Sequence, residues 1–274
     1  MSEFHVEHNA RPEIVQVILN SAQSGDKERL LLETDKSPST VQRMLPMIRR
    51  LGLLCEGKAF ATTELGKRMV TLSYRSPALF PEAMHCLLYT LHAFDSAKRF
   101  SWAYARVVDA LWESGACALD GQATARLVGM VVDAASRAFD VPIEKIAFSR
   151  DSIRGVLNWL RALEPAVVER EGRIDRFRRR HYCPPPMFLW AVDFLYRAHC
   201  TAHGVRMFLT PERIDRLCKL CVLDASGIEN VLMMTKRTSD YDRGGIFDYG
   251  TEGGFGRWIL LARPCPVPSL PSGD

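Results

Sequence analysis

The stretch from Ser37 to Arg68 constrains this chain more than any other, because each local signal in it has one structural reading. Ser37 before Pro38 is a helix start: the serine oxygen can accept from amides two or three residues on, and proline supplies a helical φ where its missing N–H costs nothing. Val41, Met44, Leu45, Ile48 and Leu51 then recur at helical spacing and predict an amphipathic helix. That spacing turns Thr40, Gln42, Arg43, Met47 and Arg50 elsewhere, so the outward side is polar and basic at its start. Pro46 lies inside and is expected to kink or shorten the helix, at a cost of about 3 kcal/mol unless accommodated. Gly52 ends it, and Leu53 to Cys55 and Ala59 to Thr62 alternate as short strands around the tight turn Glu56-Gly57-Lys58. Upstream, Pro12 to Ala22 predicts a first helix stopped by Gly25, and Asp26 caps a short second one carrying Leu30, Leu31 and Leu32.

This succession of helix, Leu51-Gly52-Leu53-Leu54, short hairpin and Thr63-Glu64-Leu65-Gly66-Lys67 resembles the prokaryotic winged helix-turn-helix DNA-binding proteins over about 45 residues. The resemblance implies that the third helix is a recognition helix, that the hairpin is its wing and that duplex DNA is the partner. The N-terminal residues of such a helix face base edges, where Gln can read adenine and Arg can read guanine. Ser39, Thr40, Gln42, Arg43 and Arg50 on the helix and Lys58 on the wing are therefore candidate DNA contacts. The layout as a whole also resembles winged-helix proteins encoded with bacterial anti-phage defence genes, which implies a DNA-targeting role beside transcription regulation.

The unit is expected to recur. Thr40-Val41-x-x-Met44-Leu45-x-x-Ile48-Arg49-x-Leu51 aligns with Ser152-Ile153-x-x-Val156-Leu157-x-x-Leu160-Arg161-x-Leu163 at an offset of 112 residues, matching every apolar position. Asp120 caps a helix through Ala138, Pro142 to Phe148 reads as a short second helix, and Val167 to Tyr182 reads as a second wing. Four positions at Ser226-Gly227-Ile228-x-x-Val231-Leu232 echo the pattern again, between a helix over Pro211 to Lys219 and a strand pair over Ile246 to Ala262.

Charge is distributed to suit. The whole chain is only +4, but residues 149–181 hold nine arginines against five acids, and residues 26–70 nine basic residues against six acids. Residues 82–145 are mildly acidic, with six basic residues against eight acids. Arg150, Ser152, Arg154, Arg170, Arg173, Arg176, Arg178, Arg179 and Arg180 are the second set of candidate DNA contacts, the arginines as phosphate ligands. A plainer reading of the second hairpin is a solvated edge whose arginines and acids pair with one another.

The expected fold class is mainly α with short β-hairpin wings: tandem winged helix-turn-helix units plus a helical hairpin. Its divisions are a first unit over 1–75, an aromatic hairpin linker over 76–118, a second unit over 119–186, a C-terminal α+β unit over 187–263 and a disordered Pro-rich tail over 264–274. The hairpin aromatics Tyr89, Phe94, Trp102, Tyr104 and Trp112 have the spacing of a packed core. No apolar stretch approaches the ~20 residues of a transmembrane helix, Met1 to Arg11 lacks the pattern of a signal peptide, and eight scattered cysteines suit reduced thiols in a cytoplasm.

No phosphate-binding loop, dinucleotide fingerprint, nucleophile elbow or HExxH motif occurs, so neither catalysis nor a cofactor is expected. Cys200-x-x-His203 followed by Cys218-x-x-Cys221 has the ligand types of a structural zinc site, but both pairs read as helical, which favours buried thiols. His85 and His92, seven apart with Asp95 nearby, read as packed or surface residues before acid–base ones. Protein partners or a second copy of the chain form the rival class of ligand. Tandem winged helices similar to the kleisin-binding subunits of bacterial condensing complexes bridge proteins, and would show apolar exposed faces.

Overall fold

Most of the described helices begin where an acceptor side chain or a proline stands ready. A computed structural model describes residues 3–25, 37–57, 60–254 and 256–265; the expected short helix from Asp26, and Lys58 on the hairpin, lie outside them. Helix α1 (Pro12–Ser24) starts at its proline and stops at Gly25 in the left-handed conformation. Helix α2 (Pro38–Arg50) starts at Ser37, whose hydroxyl accepts from the Thr40 amide at 3.3 Å. It continues through Pro46, which removes only the donor to the Gln42 carbonyl, so the expected shortening does not occur. Met47, expected outward, is buried with Met44 and Ile48 and widens the apolar face.

Helix α3 (Glu64–Arg75) explains the Thr-x-Leu-Gly signature. The Thr63 hydroxyl accepts from the Gly66 amide at 3.0 Å, and a Cβ on Gly66 would stand 2.1 Å from the Leu53 carbonyl oxygen. Only glycine lets α3 lie this close to the backbone leaving α2. Between them the hairpin is reduced, among the described residues, to a bridge between Leu54 and Thr62.

The hairpin of α4 (Leu79–Thr90) and α5 (Arg99–Ser114) forms as expected, with Phe100, Trp102 and Tyr104 buried. Then come β1 (Cys117–Leu119), α6 (Gly121–Phe139) capped by Asp120, α7 (Arg150–Arg161), β2 (Val168–Glu171) and β3 (Ile174–Phe177). The short helix expected over Pro142 to Phe148 is a single 3-10 turn, Ile143–Lys145. The remainder is α8 (Pro185–Ala198), β4 (Arg206–Phe208), α9 (Pro211–Cys221), α10 (Ile228–Ser239), β5 (Phe247–Glu252) and β6 (Gly256–Leu261). The described residues are thus mainly helical, with two small antiparallel sheets.

Those sheets are ordered β1-β3-β2 and β4-β6-β5, with Cys117 opposite Phe177 and Met207 opposite Ile259. Residues 99–177 and 185–261 therefore trace one path: helix, strand, helix, helix, hairpin, with the first strand laid against the last. Helix α5 packs against α4, its partner in the hairpin, and also against α6 and α7. The echo at Ser226 marks the entry to α10, which occupies the same place in its unit as α7. One continuous apolar cluster runs from Phe4 to Cys265, so these units share a core. Cys265 is buried, so packing persists past the expected start of the tail; residues 266–274 lie outside the described set.

Arg180 sits at the centre. Its Nη1 and Nη2 donate to Glu82 on α4 at 2.6 and 2.9 Å, Nε donates to the Cys221 carbonyl at 2.8 Å, and Nη1 also reaches the Glu164 carbonyl at 3.1 Å. Both side chains are sealed from solvent. Removing one partner strands a buried charge and costs about 3–5 kcal/mol, whereas replacing both by apolar residues costs far less. Urea unfolding is expected to show Arg180→Met and Glu82→Leu each destabilising on that scale, with the double variant more stable than either single one.

Candidate nucleic-acid interface

The N-terminal end of α2 projects from the molecule. Ser39, Gln42 and Arg43 are exposed and Thr40 is half-buried, with Arg43 in loose contact with the Thr40 hydroxyl at 3.4 Å. Arg50 does not join them: it donates to the Glu3 carbonyl at 2.8 Å and its guanidinium lies 4.4 Å from the centre of the Phe100 ring. It fastens the N-terminal segment to α5, apart from the exposed start of α2.

The second set divides more sharply. Helix α7 buries Ser152, Ile153, Gly155, Val156, Leu157, Trp159 and Leu160, leaving Arg150 and Arg154 exposed at its start, the latter paired with Asp151 at 2.9 Å. Ile153, Val156 and Leu160 face the core as expected, but the opposite side is covered by the chain's own residues 4–8. A Cβ on Gly155 would meet the Val6 carbonyl at 2.8 Å, the Ser152 hydroxyl bonds His5 Nδ1 at 2.8 Å, and Asn158 donates to the His8 carbonyl at 2.9 Å. The sequence pattern marked Ser152 as outward; a segment 147 residues earlier occupies that side. Ser152 is therefore not a DNA contact in this arrangement.

The arginines of the second hairpin fall into three groups. Arg180 is the buried partner of Glu82, and no phosphate can reach it. Arg179 stacks 4.1 Å from the Trp112 ring centre and donates to the Trp112 carbonyl at 2.8 Å, which makes it a packing residue. Arg170, Arg173, Arg176 and Arg178 are exposed, but Arg176 pairs with Glu171 and Arg178 with Glu169. Arg161 holds Asp175 at 3.0 Å, so each acid of this hairpin already has an arginine, as the plainer reading anticipated. Arg170 and Arg173, beside the turn at Gly172, are left without a carboxylate partner among the described residues.

Sequence reasoning passed over α10. Unlike α7 it keeps an open side, on which Glu229, Asn230, Met233 and Arg237 are exposed. Met233, Lys236, Arg237, Asp240, Arg243 and Tyr249 line a cleft of about 440 Å³ against β5, in which Lys236 is paired with Asp248 at 2.5 Å and the exposed Arg243 stands 3.9 Å from Asp240. The signal was present, because Lys236-Arg237 and Arg243 follow the echo at Ser226, but the echo was too short to single them out.

Other candidate chemistry is not assembled. Helix α8 ends at Ala198, so Cys200 and His203 lie beyond it; His203 bonds Asp193 at 2.8 Å, whereas Cys218 and Cys221 are buried thiols. The spacing that suggested zinc spans two elements that do not bring the four donors together. Burial pushes the Cys218 thiol up to about 12, which keeps it protonated. Among the described residues the convergent donor group is instead His5, Glu7 and His8, whose ligand atoms all lie within 4.8 Å of one another.

His85 is fully enclosed. The Leu220 carbonyl can only accept, so Nε2 donates to it at 2.8 Å and Nδ1 accepts from the Tyr104 hydroxyl at 2.7 Å. Desolvation lowers its pKa from 6.5 to about 4, which suits a neutral core residue and not an acid–base one. His92 lies apart, at a cleft with Arg106 and Asp109. Comparison with known proteins finds no matching family, no similar characterised protein and no similar solved structure.

The His85 environment has a sign. Its folded pKa is depressed, so its stabilising contribution is complete above pH 6.5 and is lost as pH falls toward about 4. The unfolding free energy should drop between pH 7 and pH 5, with His85 supplying on the order of 2 kcal/mol of the drop. Urea titrations of His85→Gln at the two pH values should show a correspondingly flatter dependence, and an unchanged slope would refute the assignment.

Proposed function

We propose that the protein is a non-catalytic duplex-DNA-binding protein built of three winged helix-turn-helix units, with α2 and α10 as its groove-facing helices and α7 as a structural relative. The observation that carries this reading is the path repeated over residues 99–177 and 185–261, which ends each time in a hairpin beside a third helix, and which leaves α10 open with Asn230, Lys236 and Arg237 along its side. In this reading the helix, strand, helix, helix and two strands, with the first strand against the last, present a third helix and a hairpin together to a duplex.

In this reading Ser39, Thr40, Gln42 and Arg43 meet bases or phosphates from α2, Asn230 and Arg237 do so from α10, Arg243 from the turn that follows it, and Lys236 by exchanging Asp248 for a phosphate. Arg150, Arg154, Arg170, Arg173, Arg176 and Arg178 add phosphate contacts, the paired ones by exchanging a carboxylate for phosphate. Transcription regulation and DNA targeting within a larger bacterial system both follow from such a protein.

A protein-binding role is the second reading, favoured by the exposure of Met233 and Tyr241 beside α10. Salt separates the two. Fluorescence anisotropy with random-sequence duplex should give micromolar binding that weakens steeply between 50 and 200 mM salt, each phosphate contact contributing about 0.9 to the log–log slope. Gln42→Ala with Arg43→Ala, and separately Arg237→Ala with Arg243→Ala, should weaken binding several-fold, the arginine changes also reducing the slope. Absence of salt-sensitive binding at micromolar protein would discard the DNA reading in favour of the protein one.

A further inference from the structure

The segment His5-Val6-Glu7-His8-Asn9 is short, yet every side chain in it is committed. Val6 is fully buried against α7, and the Ala10 amide donates to the Glu7 carbonyl at 3.2 Å, closing a turn that carries His8 back toward Glu7. The Glu7 side chain is only 6 % exposed. Burying a carboxylate is costly unless its oxygens are satisfied. Asn9 satisfies one: its backbone and side-chain amides donate to Oε1 at 3.1 and 2.9 Å.

The other contacts stop short of hydrogen bonds. Glu7 Oε2 faces His5 Nε2 at 3.7 Å, and Oε1 faces His8 Nδ1 at 3.4 Å. His8 Nδ1 is inaccessible to solvent and has no hydrogen-bond partner. These separations are long for a hydrogen bond but close to the edge of a tetrahedron: with metal–ligand distances of about 2.0–2.1 Å, neighbouring donors stand about 3.3–3.4 Å apart.

The far nitrogen of His5 lies 2.8 Å from the Ser152 hydroxyl of α7, an acceptor of the kind that orients metal-bound imidazoles. The Asn9 side-chain nitrogen donates to His8 Nε2 at 3.2 Å, so a metal on His8 Nδ1 requires that amide to turn its oxygen toward the ring. With the His5 proton on Nδ1, the Nε2 lone pair and the Glu7 carboxylate face each other at 3.7 Å, a spacing that a bound cation fills.

We propose that His5, Glu7 and His8 form a divalent transition-metal site, with a fourth position open to water, that clamps residues 4–8 over the outer side of α7. Two imidazoles and one carboxylate suit Zn²⁺ and its first-row neighbours, and disfavour Mg²⁺ and Ca²⁺, which take oxygen ligands. Ser152 is a positioning residue, orienting His5 from outside the ligand set. The same clamp keeps α7 closed, so metal binding and the covering of that helix are one event.

The test uses the full chain with any affinity tag removed and bound metal stripped by a chelator. Calorimetric titration with Zn²⁺ should show one equivalent bound at micromolar affinity or tighter, and Zn²⁺ should protect the N-terminal segment from limited proteolysis. Glu7→Gln risks misfolding because Glu7 is buried; the half-exposed pair His5→Ala with His8→Ala should keep the fold, checked by circular dichroism, and lose at least tenfold in affinity. Ser152→Ala should lose about tenfold with the stoichiometry intact. Substitution by Co²⁺ should give visible ligand-field bands without a thiolate charge-transfer band. No stoichiometric Zn²⁺ binding, unchanged affinity in the double-histidine variant, or a thiolate band placing the metal on cysteines would each overturn the site.

Discussion

The pairing of Arg180 with Glu82 is the constraint around which the rest is arranged. A guanidinium in a sealed interior must have most of its N–H groups accepted, and the acceptors here come from three places: the Glu82 carboxylate on α4, the Glu164 carbonyl after α7 and the Cys221 carbonyl at the end of α9, next to which Val222 accepts from the backbone amide of Arg180. Each belongs to a different part of the chain. A planar donor fork that bonds in several directions fixes their relative orientation in a way that apolar packing alone does not. The Asp224 amide returns to the Arg180 carbonyl at 2.7 Å, so even the entry to α10 is registered against this residue.

That registration separates the fates of two equivalent helices. Helices α7 and α10 stand at the same place in the same path, yet α7 is enclosed by α4, α5, α6 and the N-terminal segment while α10 keeps an open side. Composition follows burial. Helix α7 carries Gly155 where the N-terminal backbone crosses, and Trp159 and Leu160 where neighbours press; α10 has Met233 and Arg237 on a side that is exposed among the described residues. Covering a helix from its outer side needs a small residue at the crossing and hydrogen-bonding side chains beside it. Gly155, Ser152 and Asn158 supply both.

Much of the local structure was legible in the sequence, because it is decided locally. The serine and aspartate caps, the Gly25 stop, the aromatic hairpin and the terminal strand pair all rest on signals within a few residues. The failures share one cause. Whether Arg180 is a phosphate ligand or a buried keystone depends on Glu82, 98 residues away, and whether Ser152 faces solvent depends on His5, 147 residues away. Three successive arginines look alike in sequence, but Arg178 is exposed, Arg179 lies on a tryptophan and Arg180 is enclosed.

Charge counting along the chain therefore overstated the basic surface of the second hairpin. Of the nine arginines over residues 149–181, Arg161, Arg176 and Arg178 are matched to hairpin acids, Arg154 to Asp151, and Arg179 and Arg180 are absorbed into packing. Arg150, Arg170 and Arg173 carry the charge that remains, and they lie at a helix start and about a hairpin turn. Around α10 no run of arginines exists, yet Lys236, Arg237 and Arg243 meet on one cleft because a helix, its C-terminal turn and a strand meet there, with Lys236 held by Asp248 at 2.5 Å and Arg243 3.9 Å from Asp240. A field that attracts a polyanion is built from unpaired charges brought together in space, and by that measure Arg237 at this cleft stands beside Arg170 and Arg173 at the hairpin turn.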